Sequence, residues 1–120
     1  MPENLLACRT ASYGKYSESA FEHLPTIGVN HVEIPTPALD QIEQVKARLA
    51  QHGLSASSLQ ATIEIESDEV ADLLVPTLDA ATALNAKILF VSVKAGEMDK
   101  QVVYERLRCA GEKAAEYGIT

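Results

Sequence analysis

The sequence predicts an α/β fold: four strand–helix units whose strands run parallel. Three observations predict it. Short apolar stretches alternate with stretches of helical periodicity along the 120 residues. Helix-ending residues, Gly28, Gly53 and Asn85, stand just ahead of the apolar stretches that follow them. Strands separated by helices do not easily join as hairpins, so they pair in parallel through right-handed crossovers. Two architectures accept four such units: an open, doubly wound sheet of flavodoxin-like shape, or half of an eight-stranded (β/α)8 ring.

The elements follow in order. "NLLACRTA" (4–11) is short and apolar enough for a buried strand, and "YGKYSES" after it reads as a polar loop. "SESAFEHLPTIG" is helical, with Ser17 as cap, Phe21 and Leu24 on one face and Gly28 closing it; Pro25 should kink the helix or end it early. "NHVEIP" (30–35) is the second strand, stopped by Pro35. In the next helix Leu39, Ile42, Val45 and Leu49 form one stripe, with Thr36 as cap, Pro37 in the first turn and Gly53 past the end. "SASSLQATI" (55–63) is the third strand. A helix from about Ser67 is kinked or restarted at Pro76 and ends at Asn85, and "KILFVSV" is the fourth strand. After the loop "GEMDKQ", "QVVYERLRCAGEKAAEYG" is a last helix with Val103, Leu107 and Ala110 or Ala114 on one side. Gly118 followed by Ile119 then signals a strand to come, which predicts a chain cut just before its fifth strand.

Composition excludes several classes. A net charge of −7 argues against nucleic acid, because phosphate contacts need clustered Lys and Arg. "ILFVSV" (88–93), among the longest apolar runs, is far too short to cross a bilayer. "MPENLLACRT" lacks the layout of a signal peptide, so a cytoplasmic protein is expected. Cys8 and Cys109 have no metal or redox spacing and read as small buried apolar residues.

Four motifs, "IGVNHVEIPTP", "VKARLAQHGLSASSLQAT", "LDAATALNAKILFV" and "AGEKAAEYGIT", occur in an order that resembles one family. The likeness, from Leu5 to Thr120, is to the xylose isomerase-like TIM barrels, the sugar phosphate isomerases/epimerases and AP endonucleases of family 2 that share a fold with endonuclease IV. It implies that residues 1–120 are the N-terminal (β/α)4 portion of a barrel that needs ~250 residues when complete. It also implies a divalent metal for the complete barrel, held at the ends of strands from the fifth onward, and a small sugar or sugar phosphate as substrate. No metal ligand or catalytic residue is then expected in this chain. The endonuclease branch carries metal-binding His at the third and fourth strand ends. Gln60 and Ser92 stand there in this sequence, which argues against DNA repair.

By position at the C-terminal strand ends, the substrate-pocket candidates are Thr10 and Ser12 after the first strand, Glu33 on the second, Gln60 and Thr62 from the third, and Ser92 and Lys94 from the fourth. Glu33 would be costly to bury alone, so it should meet polar company inside the barrel. His31 shares its strand face, but no third ligand has recognisable spacing. His52 suits a helix C-terminus, and neither the cysteines nor the histidines form a hydrolase signature. The expected function is the pocket wall of a metal-dependent sugar (phosphate) isomerase or epimerase, inactive alone and self-associating through open half-barrel edges. The alternative is a self-contained open-sheet phosphate- or nucleotide-binding or interaction domain without catalysis, with "TASYGKYSES" holding the phosphate.

Overall fold

Strands of alternating burial, joined by helices on one side only, build the molecule. The computed structural model describes residues 5–120. Residues 1–4, including Asn4 of the expected first strand and the start of the segment read for a signal peptide, lie outside the described residues. The strands are β1 (Ala7–Arg9), β2 (His31–Pro35), β3 (Ser55–Thr62) and β4 (Ile88–Ser92). The helices are α1 (Ser17–Thr26), α2 (Ile42–Gln51), α3 (Val70–Leu73), α4 (Val75–Leu84) and α5 (Lys100–Glu116). No described helix is long and apolar enough to cross a membrane.

The sheet runs β1-β2-β3-β4, every pair parallel. This order decides between the two architectures. A doubly wound sheet reverses its strand order at a switch point, whereas here each strand lies beside its predecessor without reversal. The flavodoxin-like alternative is therefore corrected. The chain's last residue carries the progression on: Thr120 N–H donates to Lys87 O (2.9 Å) and Leu89 N–H to Thr120 O (2.8 Å), the parallel pattern on the free side of β4.

Period-two alternation separates the two sheet faces. Val32, Ile34 and Leu59 point outward and are sealed in one core with Leu24, Leu49, Leu74 and Leu78 from the helices. A bulge at Ser57 sets the inward set. Val32 pairs with Ala56, but Glu33 pairs with Ser58, so one extra residue of β3 is accommodated. Ser57 Oγ donates to Val32 O across it (3.4 Å).

Several boundaries depart from expectation for local reasons. The "YGKYSES" loop is largely helical: Thr10–Tyr16 forms 3₁₀ turns broken at Gly14 (φ 59°) and leads straight into α1. Ser17 is thus the first residue of that helix and caps nothing by its side chain. Pro25 lies in the final turn of α1, whose end comes one residue later. Thr36 does not cap α2, which starts only at Ile42; its hydroxyl donates to Gln60 O (2.8 Å) and ties the end of β2 to β3. At Pro76 the restart, one of the two expected outcomes, is what occurs, giving separate α3 and α4. Asp99 caps α5, its Oδ1 accepting from Gln101 N–H (2.8 Å). Arg106 of α5 donates to Ile65 O (2.8 Å), fastening that helix to the segment after β3. Cys8 is half-buried and Cys109 exposed, so the expectation of two buried thiols is corrected.

Candidate functional site

The concave face of the sheet is the side without helices, and its inward residues form one connected polar group. Arg9 of β1, Glu33 of β2, Ser58 and Gln60 of β3 and Phe90 of β4 share it by register. Ser58 Oγ donates to Glu33 Oε1 (2.7 Å), and Arg9 Nε lies 3.6 Å from Glu33 Oε2. With its amide oxygen turned inward, Gln60 accepts from both Nε and Nη2 of Arg9. The Arg9 guanidinium carbon sits 5.2 Å from the Phe90 ring centroid, so this side chain reaches across the concavity from the first strand to the fourth. Glu33 has the polar company that burying a carboxylate requires.

At the C-terminal strand ends the face opens into a cleft of about 650 Å³, lined by Thr36, Gln60, Thr62, Thr77 and Ser92 among prolines and Leu39. On the N-terminal side a recess of about 700 Å³ holds His31, Glu33, Ser58, Lys87 and Ile88. Gln60 joins the two, touching Arg9 while lining the cleft.

Of the residues singled out from sequence, Gln60, Thr62 and Ser92 meet at the cleft, and Glu33 lies deeper on the same face. Thr10 is buried elsewhere, in a groove with Ser17, Phe21, Val45 and Arg48 on the helix-covered side. Ser12 and Lys94 are exposed, in the 3₁₀ turns and after β4, and neither lines the cleft. Sequence reasoning missed Arg9, Ser58 and Phe90. Arg9 ends "ACR" two residues after inward Ala7, but linking it to Glu33 takes the β1–β2 register, and Ser58 faces inward only because of the bulge.

The donor set does not fit a metal. Among the described residues no three His, Cys, Asp or Glu side chains are grouped to hold one, and Glu33 is engaged by Arg9 and Ser58.

No protein-family model matches the sequence, and no curated protein matches it. Solved structures do match. A sugar phosphate isomerase/epimerase from Parabacteroides distasonis superposes over 99% of this chain with a TM-score of 0.80 at 16% identity, using 50% of its own length. An AP endonuclease of family 2 from Brucella melitensis superposes over 98% with a TM-score of 0.74 at 19% identity, using 54% of its length. The fold is half of a (β/α)8 barrel. The chain spans about half the length of these two proteins, and the unreversed strand order with one helix-free face is what half a ring requires.

Proposed function

We propose that residues 1–120 are one domain, the N-terminal (β/α)4 half of a sugar (phosphate) isomerase or epimerase barrel, supplying substrate-pocket walls. The observation that carries this reading is the cleft at the C-terminal strand ends, where barrels of this architecture place their sites, on a chain that superposes on half of a sugar phosphate isomerase/epimerase. Its lining of hydroxyls and one amide suits the hydroxyls of a sugar. A divalent metal for the complete barrel would be held by residues of the complementary half, since the donors here do not fit one.

Alone, the half has open margins at β1 and β4 and half-exposed Ile88 and Phe90 on the concave face. Such edges favour self-association until a second half covers them. The test is to express the chain alone and with a complementary four-unit half, then assay aldose–ketose isomerisation and epimerisation of sugar phosphates with added Mg²⁺ or Mn²⁺. Activity is expected only with the complement. Turnover by the 120-residue chain alone, or none by the completed barrel on any sugar tried, would overturn the reading.

A further inference from the structure

We propose that Arg9 is the oxyanion-recognising group of this pocket, taking the phosphate or carboxylate of a polyhydroxylated ligand whose hydroxyls lie toward Thr62 and Ser92. The inference rests on the pocket reading above and adds the chemical class of ligand and the residue that selects it.

The guanidinium is held at three places and open at a fourth. Phe90 lies beneath it, Gln60 with its amide oxygen turned inward accepts from Nε and Nη2, and Glu33 stands on the Nε side. Nη1 makes no hydrogen bond to protein among the described residues, and the Arg9 side chain remains 46% exposed. A purely architectural Arg–Glu pair would close as a fork, with two parallel bonds that consume the donors. Here the nearest approach, 3.6 Å from Nε, is beyond hydrogen-bond length, and Glu33 gives its other oxygen to Ser58 at 2.7 Å. The counter-ion steadies the cation without occupying its outer edge. Fixed orientation also reduces the side-chain entropy lost when a planar fork grips an oxyanion.

Position adds selectivity. Gln60 connects Arg9 to the cleft, so an oxyanion at the guanidinium places the rest of its ligand among the hydroxyls of Thr62 and Ser92. Arg9 does not itself line the cleft and is paired with Glu33, so an oxyanion would meet the outer edge of the guanidinium rather than a net positive field.

The test is NMR titration of the ¹⁵N-labelled 120-residue chain with ribose 5-phosphate, gluconate and ribose, following the Arg9 Nε–H and the Thr62 and Ser92 amides. A phosphate ester is distinguished from a sugar acid by which of the first two saturates at lower concentration. Ribose is expected to bind about tenfold more weakly or worse, and Arg9→Met to weaken the anionic ligand by a similar factor. Arg9→Lys keeps the charge but loses the fork, and Phe90→Leu loses the platform; each is expected to weaken binding about two- to fivefold, and both carry the test should Arg9→Met not fold. Ribose binding as tightly as the anions, variants binding like the parent, or no saturable shift at about 50 mM ligand would each overturn the assignment. A completed barrel without isomerase activity but with this anion response would overturn the enzyme reading and leave Arg9's role standing; the reverse result would do the opposite.

Discussion

The two faces of one sheet differ more than any two elements of the molecule. On the outer face Val32 and Leu59 have no exposed surface, and Ile34 has almost none. On the inner face the neighbouring positions carry Glu33, Ser58 and Gln60, joined by hydrogen bonds and an ion pair and crossed by Arg9. Five residues, "HVEIP", contribute to both, because successive side chains of a strand point to opposite sides. The contrast teaches that the sealed core and the polar inner group are separated by residue parity, and substitutions one position apart should be read by different instruments.

The largest expected effect tests the outer face. Leu59→Ala would leave a cavity beneath α4 and α2 in a fully buried site, and is expected to cost about 2–5 kcal/mol in urea denaturation. The Arg9 Nε–H signal should be little changed in the variant that remains folded. Next comes Glu33→Ala on the inner face, which strands the Ser58 hydroxyl and removes the Arg9 counter-ion. Its expected cost is about 1–2 kcal/mol, most of it from the hydrogen bond, since the ion pair is partly exposed and contributes under about 1 kcal/mol. Glu33→Gln, which still accepts from Ser58, should cost less. Equal losses for Leu59→Ala and Glu33→Ala would break the division between faces.

Phe90→Ser then separates monomer stability from association. The ring is 48% exposed, so the unfolding free energy should move by no more than about 0.5–1 kcal/mol. Light scattering should show weaker self-association, because the concave face loses an exposed apolar ring. An unchanged oligomer distribution would place the contact surface elsewhere, at the strand margins alone.

Outer-face architecture was legible in the sequence because it depends on local signals. Leu39 aside, the stripe Ile42, Val45 and Leu49 falls within α2 as its spacing requires, and Gly53 and Asn85 end their helices in left-handed conformations. The inner face was legible only in part. Glu33, Gln60, Thr62 and Ser92 could be placed because each lies on an obvious strand near its C-terminal end. Thr10 could not: it follows inward Arg9 and so faces the helices. Ser58 was hidden by the one-residue bulge, and Phe90 by lying in an unbroken apolar run that shows no period-two alternation to tell its two faces apart. Capping failed at Thr36 for a related reason, since a long-range partner, Gln60 O, outcompeted the local one.

The smallest expected effect belongs to positions on neither face, and it fixes the baseline for the others. Asn85 ends α4 at φ 57° and ψ 31°, and is the one positive-φ residue other than glycine among those described. At the equivalent junctions Gly28, Gly53 and Gly118 adopt φ of 82°, 68° and 69°. If Asn85 serves only this turn, Asn85→Gly should shift the urea-derived stability by no more than about 0.5 kcal/mol, because both residues tolerate the left-handed region. Asn85→Ala should lose about 0.5–1 kcal/mol, because alanine keeps the Cβ that the left-handed region penalises but lacks the short polar side chain that offsets the penalty. Asn85 also borders the recess that holds Glu33. A loss above about 1 kcal/mol for the glycine variant would therefore mean that its side chain supports the inner face, and the turn would have to be counted as part of the site.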